Sequence, residues 1–311
     1  MDTVAAKKYI DSITQNIETV FTGKSEIVKL VVTALVAHGH VLLEDVPGVG
    51  KTLLAKSIAK SILGTFKRIQ FTSDLLPTDI TGVSIYNQKK LEFEYMEGPV
   101  FTNILLADEV NRGTPRTQSS LLEAMEEKQV SVDGVTRKLP EPFFVIATQN
   151  PIESQGTFPL PDSQLDRFII SLSIGYPSLE AEIEMLKMHN KKQDLSDNLS
   201  HVIDIQELIK IQNLVEKVQI SNEIYQYIIK VVSATRNNNE ILLGGSPRCS
   251  VALLTLAKAY ALVNGRDFVI PDDIKYLSPY VLVHRIMPYR NQSREQLFDL
   301  VKDIINKVSV S

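Results

Sequence analysis

One stretch of this chain, residues 42–52, constrains its fold more than any other, and it reads Leu-Leu-Glu-Asp-Val-Pro-Gly-Val-Gly-Lys-Thr. The apolar residues at its start predict a buried strand, and the run from 53 to 63 predicts a helix. A strand, a glycine-containing turn and a helix in this order are typical of a phosphate-binding loop.

The glycines and the Lys-Thr pair of this loop account for the expected chemistry. Gly48 and Gly50 let the backbone curl until several N–H groups point at one centre, where the helix N-terminus adds its partial positive charge. Lys51 can then contact the β- and γ-phosphates of a nucleotide, and the hydroxyl of Thr52 can ligate Mg²⁺. The residues expected to bind the nucleotide here are Val46, Pro47, Gly48, Val49, Gly50, Lys51, Thr52 and Leu53.

The loop departs from the strict pattern G-x-x-x-x-G-K-[ST] at one position. That pattern places a glycine at position 45, where this chain has Asp45. Considered alone, the stretch leaves open an accidental Gly-Lys-Thr at the start of a helix, so the rest of the chain has to decide.

Composition narrows the class of protein. With 311 residues, 44% of them hydrophobic, the chain is long enough for two domains. A net charge of −4 provides no global basic field for nucleic-acid binding. The single cysteine, Cys249, excludes an intrachain disulfide and favours a reducing compartment. Residues 1–10 lack a secretory apolar region, and residues 30–43 are too short and too polar to span a bilayer. We expect a cytoplasmic protein without a membrane segment.

The pattern over residues 1–176 predicts an α/β domain with a parallel sheet flanked by helices. Residues 4–21 have helical spacing, and Ser25 is expected to cap a second helix that ends near His38. Further helices are predicted at 117–127 and 162–167. Besides the strand of the phosphate loop, buried strands are predicted at 66–71, 104–107, 143–147 and 168–174.

Two β-hairpins are expected as insertions in this domain. Alternating apolar residues over 83–95 predict the first hairpin. The second spans 130–139, with Asp133-Gly134 at its tip, a strong short-range hairpin signal.

Helices alone are predicted after residue 177, so residues 177–311 should form a second, all-helical domain. The start signals include Ser178 before an acidic turn, Ser246 followed by Pro247, and Ser293 with Gln296. Residues 190–200 are predicted to be a polar connector.

An acidic pair, Asp108-Glu109, follows the apolar strand at 104–107. Asp108 is suited to hold Mg²⁺, and Glu109 to orient and polarise an attacking water. A solvated acidic pair is the alternative. We favour the functional interpretation because the ends of adjacent parallel strands converge on one crevice, where the phosphate loop also lies.

Three further residues are candidates for the same chemistry. Asn150 follows the strand at 143–147 and can contact a γ-phosphate or position water, although Asn-Pro is also a turn initiator. Arg248 lies in a first helical turn, where a cation opposes the helix dipole and requires an anion nearby. Arg167 is suited to reach a phosphate across a subunit boundary. Local salt bridges are the alternative for both arginines, for Arg167 with Asp162 or Asp166.

Other candidates are weaker. The five histidines lack zinc-ligand spacing with the single cysteine, and no serine or cysteine lies in a nucleophile-elbow context. Arg112 and Arg116 are equally suited to a ligand, to a neighbouring subunit or to solvent.

Taken together, these stretches resemble the AAA+ ATPases, and within them the MoxR family, over nearly the whole chain. Besides the phosphate loop at 42–52, the matching stretches are Thr-Ser-Asp-Leu-Leu-Pro-Thr-Asp-Ile-Thr-Gly at 72–82, Gly-Pro-Val-Phe at 98–101, Leu-Ala-Asp-Glu-Val-Asn-Arg at 106–112, Thr-Gln-Ser-Ser-Leu-Leu-Glu-Ala-Met-Glu-Glu at 117–127, Ala-Thr-Gln-Asn-Pro-Ile at 147–152, Phe-Pro-Leu-Pro at 158–161, Gln-Leu-Asp-Arg-Phe at 164–168 and Ser-Pro-Arg at 246–248.

The resemblance implies an AAA+ P-loop core followed by a helical lid, and it implies residue roles. Phe21 and Gly23 fall where such proteins hold adenine, although the family more often has Ile-Gly-Gln there. The family permits an acidic residue at position 45. The other implied roles are Walker A for Lys51 and Thr52, Walker B for Asp108 and Glu109, sensor 1 for Asn150, sensor 2 for Arg248, and an arginine finger offered in trans for Arg167.

The resemblance further implies ATP and Mg²⁺ as cofactors, a homo-oligomeric ring expected to be a hexamer, and a chaperone-like motor that remodels, matures or activates client proteins. Such clients often carry von Willebrand factor type A domains. A nucleotide-dependent binding switch with slow hydrolysis stays an alternative, because it uses the same site. A nucleic-acid translocase is disfavoured, since the hairpin tip at 131–138 lacks aromatic residues for base stacking.

Overall fold

The structure is a computed structural model that describes residues 1–150, 156–177, 179–190, 199–290 and 292–310. The predicted helix cap at Ser178 and most of the predicted connector 190–200 lie outside the described residues. No helix that the described ranges contain combines the length and the apolar character needed to cross a bilayer.

The α/β part consists of a parallel sheet, six helices and two hairpins in the described residues. Its helices are α1 (Thr3–Glu18), α2 (Ser25–Val36), α3 (Lys51–Ser61), α4 (Pro77–Thr81), α5 (Pro115–Glu127) and α6 (Asp162–Leu165), with a 3₁₀ turn at Val110–Arg112. Its strands are β1 (Val41–Glu44), β2 (Phe66–Gln70), β3 (Gly82–Asn87), β4 (Glu92–Glu97), β5 (Ile104–Asp108), β6 (Gln129–Val132), β7 (Val135–Lys138), β8 (Phe144–Gln149) and β9 (Ile170–Leu172).

The main sheet has the strand order β2-β5-β8-β1-β9, and all its pairs are parallel. Alternate residues of each strand face opposite sides, as the two-residue period of a strand requires. Leu105 and Ala107 of β5 pack in one core cluster with α5, whereas Ile104 and Leu106 pack in another with α1, α2 and α3. Because both faces are covered, β5 and β8 are continuous apolar runs, which explains why the sequence predicted them well.

Both predicted hairpins are present. β3 pairs antiparallel with β4, and β6 pairs antiparallel with β7. At the tip of the second hairpin, Asp133 and Gly134 both have positive φ, 53° and 74°, as a type I′ turn requires. The guanidinium of Arg137 lies over the ring of Tyr95, 3.7 Å from its centroid, and so joins the two hairpins.

The C-terminal part is a helical lid that packs on the core through α10 (Pro247–Val263) against α1 and α2. The prediction of helices alone was wrong, because two short strands, β10 (Ile241–Leu243) and β11 (Met287–Pro288), form an antiparallel pair between helices of the lid. The lid elements are α7 (Leu179–Asn190), α8 (Ile205–Val215), α9 (Asn222–Arg236), β10 (Ile241–Leu243), α10 (Pro247–Val263), α11 (Pro271–Leu282), β11 (Met287–Pro288) and α12 (Arg294–Asn306).

The helix caps were predicted unevenly. Ser293 forms the expected capping box with Gln296 at the start of α12. Ser25 does not cap α2, since it is the first helical residue and Lys24 occupies the N-cap without a side-chain hydrogen bond. The domain boundary between residues 176 and 177 stays a prediction.

Candidate functional site

The carboxyl ends of β1, β5 and β8 meet at one cavity of about 370 Å³. The predicted residues Lys51, Thr52, Asp108, Glu109 and Asn150 all line it. The strand ends bring these side chains together because β1, β5 and β8 are neighbours in the sheet and run parallel.

The phosphate loop has the backbone conformation that its glycines predicted. Gly48 and Gly50 have φ of 88° and 93°, and Gly50 is the N-cap of α3. A Cβ on Gly50 would lie 3.0 Å from a ring carbon of Phe21, so this glycine also permits a close approach. The ammonium of Lys51 donates to the carbonyl oxygen of Asp45 at 2.8 Å. Burial lowers the pKa of Lys51, and the three carboxylates around it oppose that shift.

The carboxylate of Asp108 is held from both sides. The hydroxyl of Thr148 donates to its Oδ1 at 2.6 Å, and the guanidinium of Arg68 donates to its Oδ2 at 2.6 Å. The same hydroxyl of Thr148 accepts from the backbone N–H of Glu109 at 2.9 Å. One threonine on β8 therefore fixes the relative positions of the two acidic residues.

Glu109 has an unusual backbone conformation, with φ of 55° in the left-handed region. A residue with a side chain is strained there, by about 1–3 kcal/mol, and such strain concentrates at functional sites. Its carboxylate accepts from Gln70 Nε2 at 2.8 Å and from Arg112 Nη1 at 3.0 Å. Arg112, whose role the sequence left open, is thus an ion-pair partner of Glu109 in the structure.

Sequence reasoning missed Arg68 and Gln70, which lie on β2 and line the same cavity. In the sheet, Gln70 is in register with Asp108, and this pairing brings the end of β2 beside the acidic pair. The available signal was the presence of Arg68 and Gln70 within the predicted strand 66–71. These two residues could be assigned to the site only once β2 was known to lie next to β5.

A second cavity, largely apolar, adjoins the phosphate loop. It shares Gly48 and Gly50 with the first cavity, so the two adjoin at the glycine turn, and we refer to them together as the cleft. Two of the residues predicted to bind the nucleotide line neither cavity: Gly23 lies in a turn between lining residues, and Val46 packs against the core. The walls of the second cavity are Val20, Phe21, Thr22, Lys24, Gly48, Val49, Gly50, Leu53, Ile174, Gly175, Pro177 and Ala181.

This cleft fits a nucleotide with Mg²⁺. The apolar part beside Phe21 and Leu53 suits a flat base, and the glycine turn leaves space where side chains would intrude, since no atom lies within 4 Å of a Cβ built on Gly48. Thr52 and Asp108 supply the oxygen ligands that Mg²⁺ prefers. Within the described ranges, no group of three or more His, Cys, Asp and Glu side chains forms a cage that could hold a metal by itself.

The two predicted arginines lie elsewhere. Arg167 and Arg248 line a separate cavity together with Glu126, and neither lines the cavity at the phosphate loop. Arg167 forms an ion pair with Glu126 at 3.0 Å and donates to the carbonyl of Leu122. Arg167 therefore has the local salt bridge of the alternative interpretation, but its partner is Glu126 and not Asp162 or Asp166. Asp166 pairs with Arg285.

Comparison with known proteins decides the family. Residues 40–170 match the ATPase family associated with various cellular activities (AAA), and residues 233–307 match the AAA lid domain. Chaperone MoxR1 of Mycobacterium tuberculosis is 41% identical to this chain, over 87% of the chain and 74% of that protein. The uncharacterised protein YeaC of Bacillus subtilis is 51% identical, over 95% of this chain and 93% of that protein. This chain belongs to the MoxR family of AAA+ ATPases.

A crystal structure of a proposed ATPase from Cytophaga hutchinsonii has the same fold as this MoxR-family chain. The two superpose with a TM-score of 0.90 at 38% identity, covering 99% of this chain and 96% of the other. The predicted fold class, an AAA+ α/β core followed by a helical lid, is confirmed.

In this MoxR-family chain, the separate arginine cavity combines the two matched regions. Arg167 belongs to the stretch that matches the AAA family, and Arg248 belongs to the stretch that matches the lid. The ion pair and hydrogen bonds of Arg285 to the segment from Asp166 to Ile169 hold the two regions together beside it.

Proposed function

We propose that this MoxR-family chain binds ATP and Mg²⁺, hydrolyses ATP to ADP and phosphate, and uses that cycle as a chaperone-like motor that remodels, matures or activates partner proteins. The observation that carries the proposal is the convergence of a lysine, a hydroxyl, two carboxylates and an amide on one cavity at the phosphate loop.

The base and the phosphates of the nucleotide occupy different parts of the cleft. The base lies in the apolar part against Phe21 and Leu53, and the phosphates follow the loop toward Lys51. Thr52 and Asp108 would hold Mg²⁺. Mg²⁺, when bound, neutralises charge on the phosphates and on the transition state.

Glu109 and Asn150 then act in the hydrolysis step. Glu109 orients and polarises a water and accepts its proton as the water oxygen bonds to the γ-phosphorus. The bond from that phosphorus to the β–γ bridging oxygen breaks, and ADP leaves with this oxygen. The hydrogen bond from Gln70 and the ion pair with Arg112 keep the Glu109 carboxylate in place. Asn150 donates to a γ-phosphate oxygen and adds no charge.

The site of one chain is completed by its neighbour. Arg167 and Arg248 lie away from the phosphate loop of their own chain, so we assign both to the phosphates of the adjacent subunit, as arginine finger and sensor 2. Such head-to-tail contacts generate rings, for which we propose a hexamer.

The chaperone-like part of the proposal is supported by the name of one relative, chaperone MoxR1. The proposed client is a protein that carries a von Willebrand factor type A domain, and the proposed compartment is the cytoplasm. A binding switch with slow hydrolysis is the second candidate. A rate that stays slow and unchanged when a partner binds would favour the switch over the motor.

Phosphate release by the assembled protein tests hydrolysis. The wild type should turn over, Glu109→Gln should lose at least about a hundredfold in rate, and Glu216→Gln, which changes an exposed glutamate that lines neither cavity of the cleft, should match the wild type. Wild-type turnover no higher than that of Glu109→Gln would refute the motor. Glu109→Gln held in ATP should also capture a client, and repeated capture without any specific partner would count against the chaperone role.

A separate variant tests the contribution of the neighbour. Arg167→Ala should leave nucleotide affinity within about twofold and lower hydrolysis by at least about a hundredfold. Glu126→Gln removes the intrachain partner of Arg167 and keeps the arginine, so it serves as the matched control. Equal loss of binding and hydrolysis in Arg167→Ala would indicate a structural salt bridge instead.

A further inference from the structure

The side chain of Asp45, the residue that stands where the strict phosphate-loop pattern has a glycine, does not face the phosphate cavity as a free charge. It is 5% exposed and its carboxylate accepts three hydrogen bonds. The donors are the hydroxyl of Ser173 at 2.9 Å, the backbone N–H of Ile174 at 2.6 Å and the backbone N–H of Gly175 at 3.0 Å. Asp45 therefore binds the segment that leads from β9 toward the lid.

The same residue also contacts the phosphate side of the site. Its carbonyl oxygen accepts from the ammonium of Lys51 at 2.8 Å, six residues further along the loop. The main chain of Asp45 thus holds the lysine that the phosphates need, while its side chain holds a segment 129 and 130 residues away in sequence.

The segment that Asp45 holds is a wall of the apolar cavity. Ile174 and Gly175 line that cavity, together with Pro177 and Ala181 at the start of the lid. Gly175 has φ of 66°, a conformation that its hydrogen bond to the carboxylate keeps in place. The position of this wall accordingly depends on a side chain of the phosphate loop.

We propose that Asp45 is a positioning residue for the base side of the nucleotide site. It fixes the wall formed by Ile174 and Gly175 relative to the phosphate loop, so that the base enters a cavity already formed. Charge-assisted hydrogen bonds to backbone N–H groups are strong enough to order a segment. A wall that is ordered before the base binds loses less conformational entropy on binding than a mobile one. The inference rests on the proposed function, because it assumes that the apolar cavity takes the base of ATP or ADP.

The experiment compares a ligand that has a base with one that lacks it. Affinities for ADP and for pyrophosphate are measured by calorimetry in magnesium buffer for the wild type, Asp45→Gly and Asp45→Asn. The glycine variant restores the strict loop pattern, and the asparagine variant places an NH₂ group against at least one of the N–H donors. Both variants should lose at least about tenfold in ADP affinity and stay within about threefold for pyrophosphate.

Two serines provide matched controls on the same strand segment. Ser173→Ala removes one of the three hydrogen bonds to Asp45 and should lower ADP affinity by a smaller factor than Asp45→Gly. Ser171→Ala removes instead a hydrogen bond to Glu44 and should leave the ratio of the two affinities unchanged. Should Asp45→Gly fail to fold, the Ser173→Ala and Asp45→Asn comparison decides.

The outcomes separate this inference from the proposed function. A wild type that binds ADP, with Asp45 variants that bind it equally well, would overturn the inference and leave the proposed function standing. A parallel loss of ADP and pyrophosphate would also overturn it, since Asp45 would then act only on the phosphate loop. A wild type that binds neither ligand would refute the proposed function and the inference together.

Discussion

The ion pair between Arg285 and Asp166 should be the most costly polar contact to break at the junction of core and lid. The two side chains are only 3% and 13% exposed, and Nε of Arg285 lies 2.6 Å from Oδ1 of Asp166. The guanidinium also donates to the carbonyl oxygens of Asp166, Phe168, Ile169 and Val281. Arg285→Met keeps much of the side-chain volume but removes a donor of the carbonyl oxygens of Asp166 and Ile169, and it leaves the Asp166 carboxylate with the 3.5 Å hydrogen bond from Ser246.

The expected loss follows from that list of partners. Breaking a buried pair by removing one charge costs about 3–5 kcal/mol, and at this chain size each kcal/mol lowers the unfolding midpoint by roughly 2–4 °C. Thermal unfolding followed by circular dichroism should therefore show a midpoint lower by on the order of 10 °C. Lys210→Met, which breaks the exposed pair with Glu207, should leave the midpoint unchanged. A shift of Arg285→Met no larger than that of the control would refute the reasoning.

Two further predictions concern hydrolysis and pH. Gln70→Ala removes the amide that holds Glu109 and should lower the rate of ATP hydrolysis by about tenfold while ADP affinity stays within about twofold; equal losses in both would contradict it. Burial of His40 lowers its pKa from 6.5 to about 4, so the unfolded chain binds a proton that the folded chain refuses. Stability contributed by neutral His40 is present above pH 6.5 and lost as the pH falls toward about 4, by about 3 kcal/mol. Urea unfolding at pH 7 and pH 4 should show this extra loss in the wild type and not in His40→Asn; similar losses in both would contradict the assignment.

The local signals in the sequence predicted the parts of the fold that local physics determines. The glycine turn before Lys51, the apolar run of β5 and the Asp133-Gly134 tip each require a particular backbone or burial, whatever lies around them. The acidic pair after β5 was interpretable for the same reason, because parallel strands in a buried sheet end at a common edge.

Other features depended on contacts between distant parts of the chain, which no local pattern reports. Gln70 is part of the site only because β2 lies next to β5, in register with Asp108. The hydrogen bonds that Asp45 accepts from Ile174 and Gly175 could be predicted only if the end of β9 were known to lie beside the phosphate loop. The partner of Arg167 comes from α5, so both sequence neighbours that were considered were wrong. The short pair β10–β11 has too few residues to produce an alternating pattern.

The placement of Arg167 and Arg248 in a cavity apart from the phosphate loop has a consequence for how the rate of ATP hydrolysis would depend on protein concentration. If each site is shared between two chains, an isolated chain carries half of one site on each of two faces and a complete site on neither. The rate per chain is then not a constant of the molecule. It rises with total protein concentration until the assembly closes, and dilution alone switches the enzyme off.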